Sequence, residues 1–235
     1  MKLRRISIKR SIALLLHLIR DDKLPPMIVF LACAAPIGFA MAYFVLSPRT
    51  DALIPGKSVA RGLLIFVASY VVYLLISPAV EINFTSKGIY LFYLLTYELY
   101  FAAWSVISYL IFYKVPHTHN PAGETAWTLA YFTSFYIFLA VGDILLNANG
   151  LTAYLLFLLP ISRIGIIYLT VGAFIFARRM YMIIRYILVL VPFAGAATAA
   201  AIPLLFIQSH AVAAGLLAGG IFLLGGCVFF FSGRK

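Results

Sequence analysis

The chain has 235 residues, of which 64% are hydrophobic and 11% are charged, and it carries a formal net charge of +11 at pH 7. Its mean hydropathy of +1.05 lies far outside the range of water-soluble globular proteins. The positive charge does not indicate nucleic-acid binding, because the basic residues lie at the ends of apolar segments and no basic soluble domain is present.

Residues 1–25 are predicted to form a basic segment on the membrane surface. Seven of the 18 basic residues lie in the first 23 positions, where they enclose a nine-residue apolar run, 11–19. This pattern is typical of a signal peptide, but the charged sequence 20–23 stands where cleavage would require small residues. The run is too short to span a bilayer, so we expect an uncleaved segment that is attracted to anionic lipids.

Residues 26–235 are predicted to form a bundle of transmembrane helices without a soluble domain. A helix crosses a bilayer with about 20 mostly apolar residues, and seven segments meet this requirement: 26–46, 59–79, 89–113, 126–146, 151–177, 186–208 and 211–231. The alternating segments of about ten residues that are typical of a membrane barrel do not occur. The predicted fold class is therefore all-α, a polytopic helical bundle of about seven spans, with six and eight as alternatives.

The basic loops predict the orientation of this bundle. In a seven-helix count the loops 47–61, 114–125 and 178–185 and the C-terminus share one side and carry nine basic residues. The opposite loops carry only Lys87. Because basic loops remain in the cytoplasm, the C-terminus is predicted to be cytoplasmic, and a bacterial inner membrane is the preferred location.

The N-terminal segment conflicts with this orientation, because a crossing by 26–46 places its seven basic residues on the outer side. Three arrangements remain open. A re-entrant hairpin at Pro36 and Gly38 keeps both flanks cytoplasmic. Alternatively all seven segments cross, or residues 6–19 form an eighth, short span.

Glu98 and Arg163 are the strongest candidates for chemistry, because each lies near the middle of a predicted span. A charge at that depth costs at least ~2.5–3.5 kcal/mol on insertion scales, so both side chains should face the bundle interior. In one interpretation they line a polar path, where Arg163 holds an anion and Glu98 handles a proton or cation. In the other they form an ion pair that only fixes helix packing, or Glu98 is neutral. Pro160, three residues before Arg163, is predicted to kink that helix.

Asp143 and Tyr97 are further candidates for the same path. Asp143 lies shortly before 147–150 (Asn-Ala-Asn-Gly), so it either binds a cation or belongs to an ordinary interfacial turn. Tyr97 belongs to an aromatic stripe with steps of three and four residues: Tyr90, Tyr93, Tyr97, Tyr100 and Trp104. Such hydroxyls could line a path or hold a lipid headgroup, although packing between helices is their commoner role.

His117 and His119 are weak candidates for a metal site with Glu124. Three potential ligands in one proline-rich loop, with no second cluster, do not predict a metal, and no cofactor is predicted either. The sequence contains no Walker A loop, no Gly-x-Ser-x-Gly and no His-Glu-x-x-His. An enzyme is therefore the less favoured class, although a lipid-modifying enzyme can use scattered polar residues.

The last two segments are rich in small residues, including Gly215 and Gly219 in a Gly-x-x-x-Gly pattern. Small residues let helices approach closely, so these segments either pack against each other or dock another membrane subunit or a second copy. The favoured hypothesis is a small permease or a membrane subunit of a transport complex. The alternatives are a membrane-embedded lipid- or isoprenoid-modifying enzyme and a non-catalytic scaffold or assembly subunit, and membrane lipids are expected partners in every case.

Overall fold

The computed structural model describes residues 53–76, 86–112, 121–147 and 158–233, and the structural statements below concern these residues. Their regular elements are all helical, which confirms the predicted all-α class for this part of the chain. The α-helices are α1 Leu53–Ile76, α2 Ser86–Phe92, α3 Leu99–Phe112, α4 Pro121–Asn147, α5 Leu159–Arg179, α6 Met182–Ala199, α7 Ala201–Ile207 and α8 Ala211–Gly233. A π-helical segment, Tyr93–Glu98, connects α2 to α3.

Five segments are long and apolar enough to cross a membrane, which supports the prediction of a transmembrane protein. They are Lys57–Ile76, Tyr90–Ile111, Leu159–Arg178, Ile187–Ile207 and Ala211–Ser232. Each corresponds to a predicted span, with ends that differ by at most three residues, except that Leu159 stands eight residues after the predicted start at 151. The 27-residue α4 coincides with the predicted span 126–146 but is not among the five. The predicted span 26–46 and the N-terminal segment lie outside the described residues, so the number of spans stays a prediction.

Helices α1 and α4 run side by side in the same direction. Near their starts, the Ser58 hydroxyl donates a hydrogen bond of 2.7 Å to the Trp127 carbonyl. Further along, the rings of Phe66 and Phe135 pack edge to face with centroids 5.9 Å apart. A Cβ added to Gly62 would collide with the Ser134 side chain, so glycine permits this close approach.

Helices α3 and α5 run opposite to α4. The end of α3 meets the start of α4, since the hydroxyls of Tyr109 and Thr128 lie 2.8 Å apart. The end of α5 also meets the start of α4, through an ion pair between Arg178 and Glu124. The start of α1 and α4 and the end of α3 and α5 therefore share one end of the bundle, called here the basic end for its residues Lys57, Arg61 and Arg178.

Helix α8 packs mainly along α5, in the same direction, and makes a smaller contact with the α6–α7 segment that precedes it. A Cβ added to Gly165 would lie 2.7 Å from the backbone nitrogen of Phe222, and one added to Gly172 would lie 2.8 Å from that of Phe229. Gly225 of α8 would in turn meet the Gly165 carbonyl. The closest glycine contacts of α8 are therefore with α5, and not with the preceding predicted span as the sequence analysis favoured. An added Cβ would meet nothing within 4 Å at three other glycines of α8: Gly219, Gly220 and Gly226.

The predicted span 186–208 is divided into α6 and α7 at Ala200. Pro203 has no N–H to bond the carbonyl of Ala199 four residues earlier, which explains an interruption of the α-helical ladder here. Among the five candidate spans, the one in α5 is the most enclosed, with 83% of its apolar window buried. Since α5 contacts α4, α6 and α8, it forms the centre of the described bundle.

Candidate functional site

Glu98 and Arg163, the two strongest candidates from the sequence, form a bidentate ion pair between the π-helical segment and α5. Arg163 Nη1 donates to Glu98 Oε2 at 2.7 Å, and Nη2 donates to Oε1 at 2.8 Å. The side chains are only 2% and 7% exposed. The two parallel charge-assisted hydrogen bonds fix the relative orientation of the two side chains, and the opposite charges of the side chains compensate each other.

The pair lies well inside an apolar segment and not at its end. Glu98 comes eight residues after Tyr90 and thirteen before Ile111, the bounds of the candidate span. At 1.5 Å per residue, these separations amount to about 12 and 20 Å. Arg163 reaches this level from α5, where Pro160 occupies the first turn. The part of the predicted span that precedes Leu158 lies outside the described residues, so the kink at Pro160 stays a prediction.

Glu98 is the last residue of the π-helical segment. The N–H of Leu99 donates to the Leu94 carbonyl, five residues earlier, as a π-helical turn requires. The Thr96 hydroxyl also donates to the Phe92 carbonyl, a local bond of the kind that bends a helix. Such wide turns are rare and occur frequently at functional sites, because they rotate one stretch of side chains relative to the rest of the helix.

Buried hydroxyls lie between the ion pair and the basic end. Tyr136 of α4 is only 2% exposed. Its hydroxyl is 3.5 Å from the Ser105 hydroxyl of α3. Tyr131, also on α4, donates to the Ser105 carbonyl at 3.3 Å. These side chains form the inner half of a line of polar groups between α3, α4 and α5.

The outer half of this line ends at a second, more exposed ion pair. Arg178 Nη2 donates to the Tyr109 hydroxyl at 2.6 Å, and Nη1 donates to Glu124 Oε2 at 2.7 Å. The ring centroids of Tyr109 and Tyr131 lie 5.5 Å apart, so the two halves meet through ring packing. We call the whole set the polar row: Arg163, Glu98, Tyr136, Ser105, Tyr131, Tyr109, Thr128, Arg178 and Glu124.

The sequence predicted the inner ion pair's residues but not the outer half of the row. Glu124 was assigned only to the weak metal site with His117 and His119, and Arg178 only to membrane orientation. A carboxylate in the first turn of one span and an arginine in the last turn of the next were nevertheless visible. An antiparallel pair of helices brings such residues together, so the pattern itself could have indicated this contact.

Of the remaining candidates, only Tyr97 has a described side chain. Tyr97 is buried among aromatic rings, edge to face with Tyr73 at 5.5 Å and with Phe101 at 5.0 Å, as the packing interpretation expects. The side chain of Asp143 lies outside the described part of the structure, as do His117 and His119. No group of three His, Cys, Asp or Glu residues that could hold a metal occurs among the described residues.

An apolar cleft of about 280 Å³ lies between α5, α6 and α8, away from the polar row. Its lining includes Leu169, Gly195 and Gly220. The Thr198 hydroxyl in this lining is bound to the Ala194 carbonyl at 2.8 Å. A surface of this composition suits a lipid acyl chain and not a polar solute, so the polar row is the better candidate site.

Replacing Arg178 by Met is expected to destabilise the protein by no more than about 1 kcal/mol, because the Arg178–Glu124 pair is screened by solvent. The two side chains are 31% and 29% exposed. Thermal unfolding in mild detergent at low and high salt measures the effect, and high salt should reduce the difference from wild type. A salt-independent loss of several kcal/mol would contradict this assignment.

No family model matches the chain, and no curated protein or solved structure matches it. The residues of the polar row combine two fixed cations, two carboxylates and a series of hydroxyls, each of which both donates and accepts hydrogen bonds. Chemically, such a set can bind an anion or hold a proton.

Proposed function

We propose that the chain is a multi-pass protein of the cell membrane that acts as a small permease or as the membrane subunit of a transport complex. The observation that carries this proposal is the buried Glu98–Arg163 pair. Apolar residues can often replace a buried ion pair without loss of stability, so stability alone is a weak reason for its presence. Ionisable groups inside membrane segments instead mark pathways for ions, protons or substrates.

In this proposal the pair is the mid-membrane site, and it opens during transport. Arg163 then binds an anionic group of the solute in place of the Glu98 carboxylate, using the same two donors. A change of the π-helical turn to an α-helical turn moves Glu98 relative to α5, which provides a local way to open the pair. Asp143 remains a proposed third member of the path.

The experiment that tests this function is complementation of a strain that lacks the protein. The double variant Glu98→Gln with Arg163→Gln removes both charges and leaves no lone buried ion. We expect it to reach the membrane in normal amounts but to fail to restore the phenotype. Tyr100→Phe is the matched control, since it removes a hydrogen bond to the Ser69 carbonyl outside the polar row. Full complementation by the double variant would reject the permease proposal.

A second experiment decides whether the chain works alone. Purification from native membranes, with mass spectrometry of bound proteins and lipids, identifies any stoichiometric partner. A co-purifying ATPase or transport component makes this chain a subunit of that complex. Purification without a protein partner makes it a self-contained permease.

One observation favours the alternative of a scaffold or assembly subunit. Gly219, Gly220 and Gly226 of α8 meet nothing within 4 Å, and small residues on an open helix face suit a second transmembrane helix. In that case Gly220→Leu should release a bound subunit, while the double variant of Glu98 and Arg163 should still complement. Nothing among the described residues adds to the third candidate, a lipid- or isoprenoid-modifying enzyme based on His117 and His119.

We further propose that the basic end of the bundle, and with it the C-terminus, faces the cytoplasm. The prediction follows from the basic residues of the loops at that end. A fluorescent protein fused after Lys235 should fluoresce, whereas an alkaline phosphatase fused there should be inactive. Active phosphatase and a dark fluorescent fusion would reverse the orientation.

A further inference from the structure

We infer that the basic end of the bundle carries a binding site for the phosphate of an anionic membrane lipid, formed by Lys57 and Arg61 of α1 beside Trp127 of α4. The inference goes beyond the proposed function, because it assigns a ligand to a surface outside the polar row. It requires only that α1 lies in a membrane, so a failure of the permease proposal would leave it intact.

The first observation is a pair of exposed cations one helical turn apart. Lys57 and Arg61 are four residues apart on α1, so their side chains start from the same face of the helix. Both residues are exposed. Lys57 is also the first residue of the candidate membrane span, so the pair lies where the apolar segment begins. The polar headgroups of a bilayer lie at this level.

No acidic residue of the described helices compensates these two cations. Neither cation forms an ion pair within the described part of the chain, where Glu98 and Glu124 are each bound to an arginine. Asp143 comes 16 residues after Trp127 on α4, which places it about 24 Å away along the helix. The two positive charges therefore suit an anion that comes from outside these helices.

The second observation is that Arg61 is held in place. Its guanidinium carbon lies 5.9 Å from the centroid of the Trp127 ring, within the range of a cation–π interaction. Trp127 is itself only 5% exposed, and the Ser58 hydroxyl donates a hydrogen bond of 2.7 Å to its carbonyl. A guanidinium that stacks on a ring keeps the N–H donors at its edge available for a phosphate. Because Arg61 is already positioned, it loses less side-chain entropy on binding.

The third observation is an exposed apolar strip that continues from the cations along α1. We define the strip by four residues that are each at least half exposed: Leu64, Val67, Val71 and Leu75. At 3.6 residues per turn they lie within about 80° of Lys57 around the helix axis. A lipid whose phosphate contacts the two cations can therefore lay an acyl chain along the strip and bury apolar surface there. A soluble phosphate gains nothing from this surface, which favours a lipid as the ligand.

The test measures lipid binding to the full chain, purified in mild detergent, by native mass spectrometry. The protein is titrated with phosphatidylglycerol and, separately, with phosphatidylcholine of the same acyl chains, which has no net charge. A basic residue near an anionic surface contributes about fivefold in affinity, so wild type should prefer phosphatidylglycerol about twenty-fivefold. Lys57→Gln and Arg61→Gln should each lower this preference about fivefold, and the double variant should lose it.

The matched control is the double variant Arg234→Gln with Lys235→Gln, which removes two positive charges from the C-terminus. It should keep the wild-type preference. Loss of the preference in the Lys57 and Arg61 double variant alone, in protein with wild-type helix content, supports the site.

Three results would overturn the inference. Equal losses in the two double variants would mean that net charge alone attracts the lipid. Equal binding of both lipids by wild type would mean that the cations do not recognise an anionic headgroup. Competition by soluble glycerol phosphate at the concentration at which the lipid binds would mean that the surface is a site for a soluble anion.

Discussion

Replacing Arg163 by Met is expected to destabilise the folded chain by about 3–5 kcal/mol, because it leaves the Glu98 carboxylate buried without a counter-ion. Glu98→Gln should have a similar effect, since it leaves the guanidinium uncompensated in the same site. The double variant Glu98→Gln with Arg163→Met should recover most of the loss, because neither remaining side chain carries a charge. The stability of a typical domain is only about 5–15 kcal/mol, so each single variant should accumulate poorly in membranes.

A double-mutant cycle measures this coupling, with free energies of unfolding obtained in mild detergent for wild type, both single variants and the double variant. Arg178→Met is the matched control, because it removes an arginine from an ion pair of similar length that is about one-third exposed. The coupling between positions 98 and 163 should amount to several kcal/mol, above the range of about 0.5–3 found for most contacting residues, because the double variant recovers most of what each single variant loses. Independent, additive effects would contradict the bidentate pair.

The same cycle separates the two interpretations that the sequence leaves open. If the pair only fixes packing, the double variant should regain activity together with stability. If the pair is the transport site, the double variant should regain stability and remain inactive. This comparison is sharper than either single substitution, because a single variant loses folding and chemistry at once.

The helices and the inner ion pair's residues were predictable, because the membrane imposes strong requirements on sequence. About 20 apolar residues are needed for each span, so the candidate spans match the predicted segments. Charges inside those segments are costly, so the sequence alone identified Glu98 and Arg163 as candidate site residues. The contact between them joins residues 65 positions apart, and nothing local in the sequence specifies it.

The π-helical turn and the polar row were not predicted, for physical reasons that differ. Residues 93–98 (Tyr-Leu-Leu-Thr-Tyr-Glu) read as ordinary helix, because a π-helical turn depends on packing against neighbouring helices and has no strong local signal. The row depends on which faces of α3, α4 and α5 meet. No sequence feature distinguishes its tyrosines, Ser105 and Thr128 from the residues of the same spans that only pack against other helices.

The helix against which α8 packs is a third feature that the sequence did not predict. The small residues of α8 predicted close approach to the preceding span or to another subunit, whereas the closest glycine contacts are with α5. Gly165 and Gly172 are seven residues apart, hence on one face of α5, and they provide the complementary surface. The sequence contained both glycine sets, and only the packing of the bundle paired them.

Gly165→Ala is therefore expected to be among the most disruptive small substitutions in the chain. Its Cβ would lie 2.7 Å from the Phe222 nitrogen and 2.8 Å from the Ile221 carbonyl carbon. Backbone atoms cannot rotate away as a flexible side chain can, so α8 must shift as a whole. We expect a loss of about 1–3 kcal/mol, the usual range for overpacking, and Gly225→Ala should behave similarly from the other side of the contact.

Gly219→Ala is the matched control for this prediction, since it adds the same methyl group to α8 where nothing lies within 4 Å. Its effect should be neutral or slightly stabilising, by up to about 1 kcal/mol, because alanine favours the helix over glycine. Thermal unfolding of the three variants in one detergent provides the comparison. Equal melting temperatures for Gly165→Ala and Gly219→Ala would contradict the α5–α8 contact.

The position of Gly165 extends this prediction to the candidate site. Gly165 lies two residues after Arg163 on the same helix, so a change in the α5–α8 distance at this level also displaces the part of α5 that holds the ion pair. Gly225→Ala should cause the same displacement from the α8 side, without a substitution in α5. If both variants lose activity while retaining membrane insertion, and Gly219→Ala does not, then α8 supports the geometry of the Glu98–Arg163 pair, and the bundle centred on α5 acts as one unit.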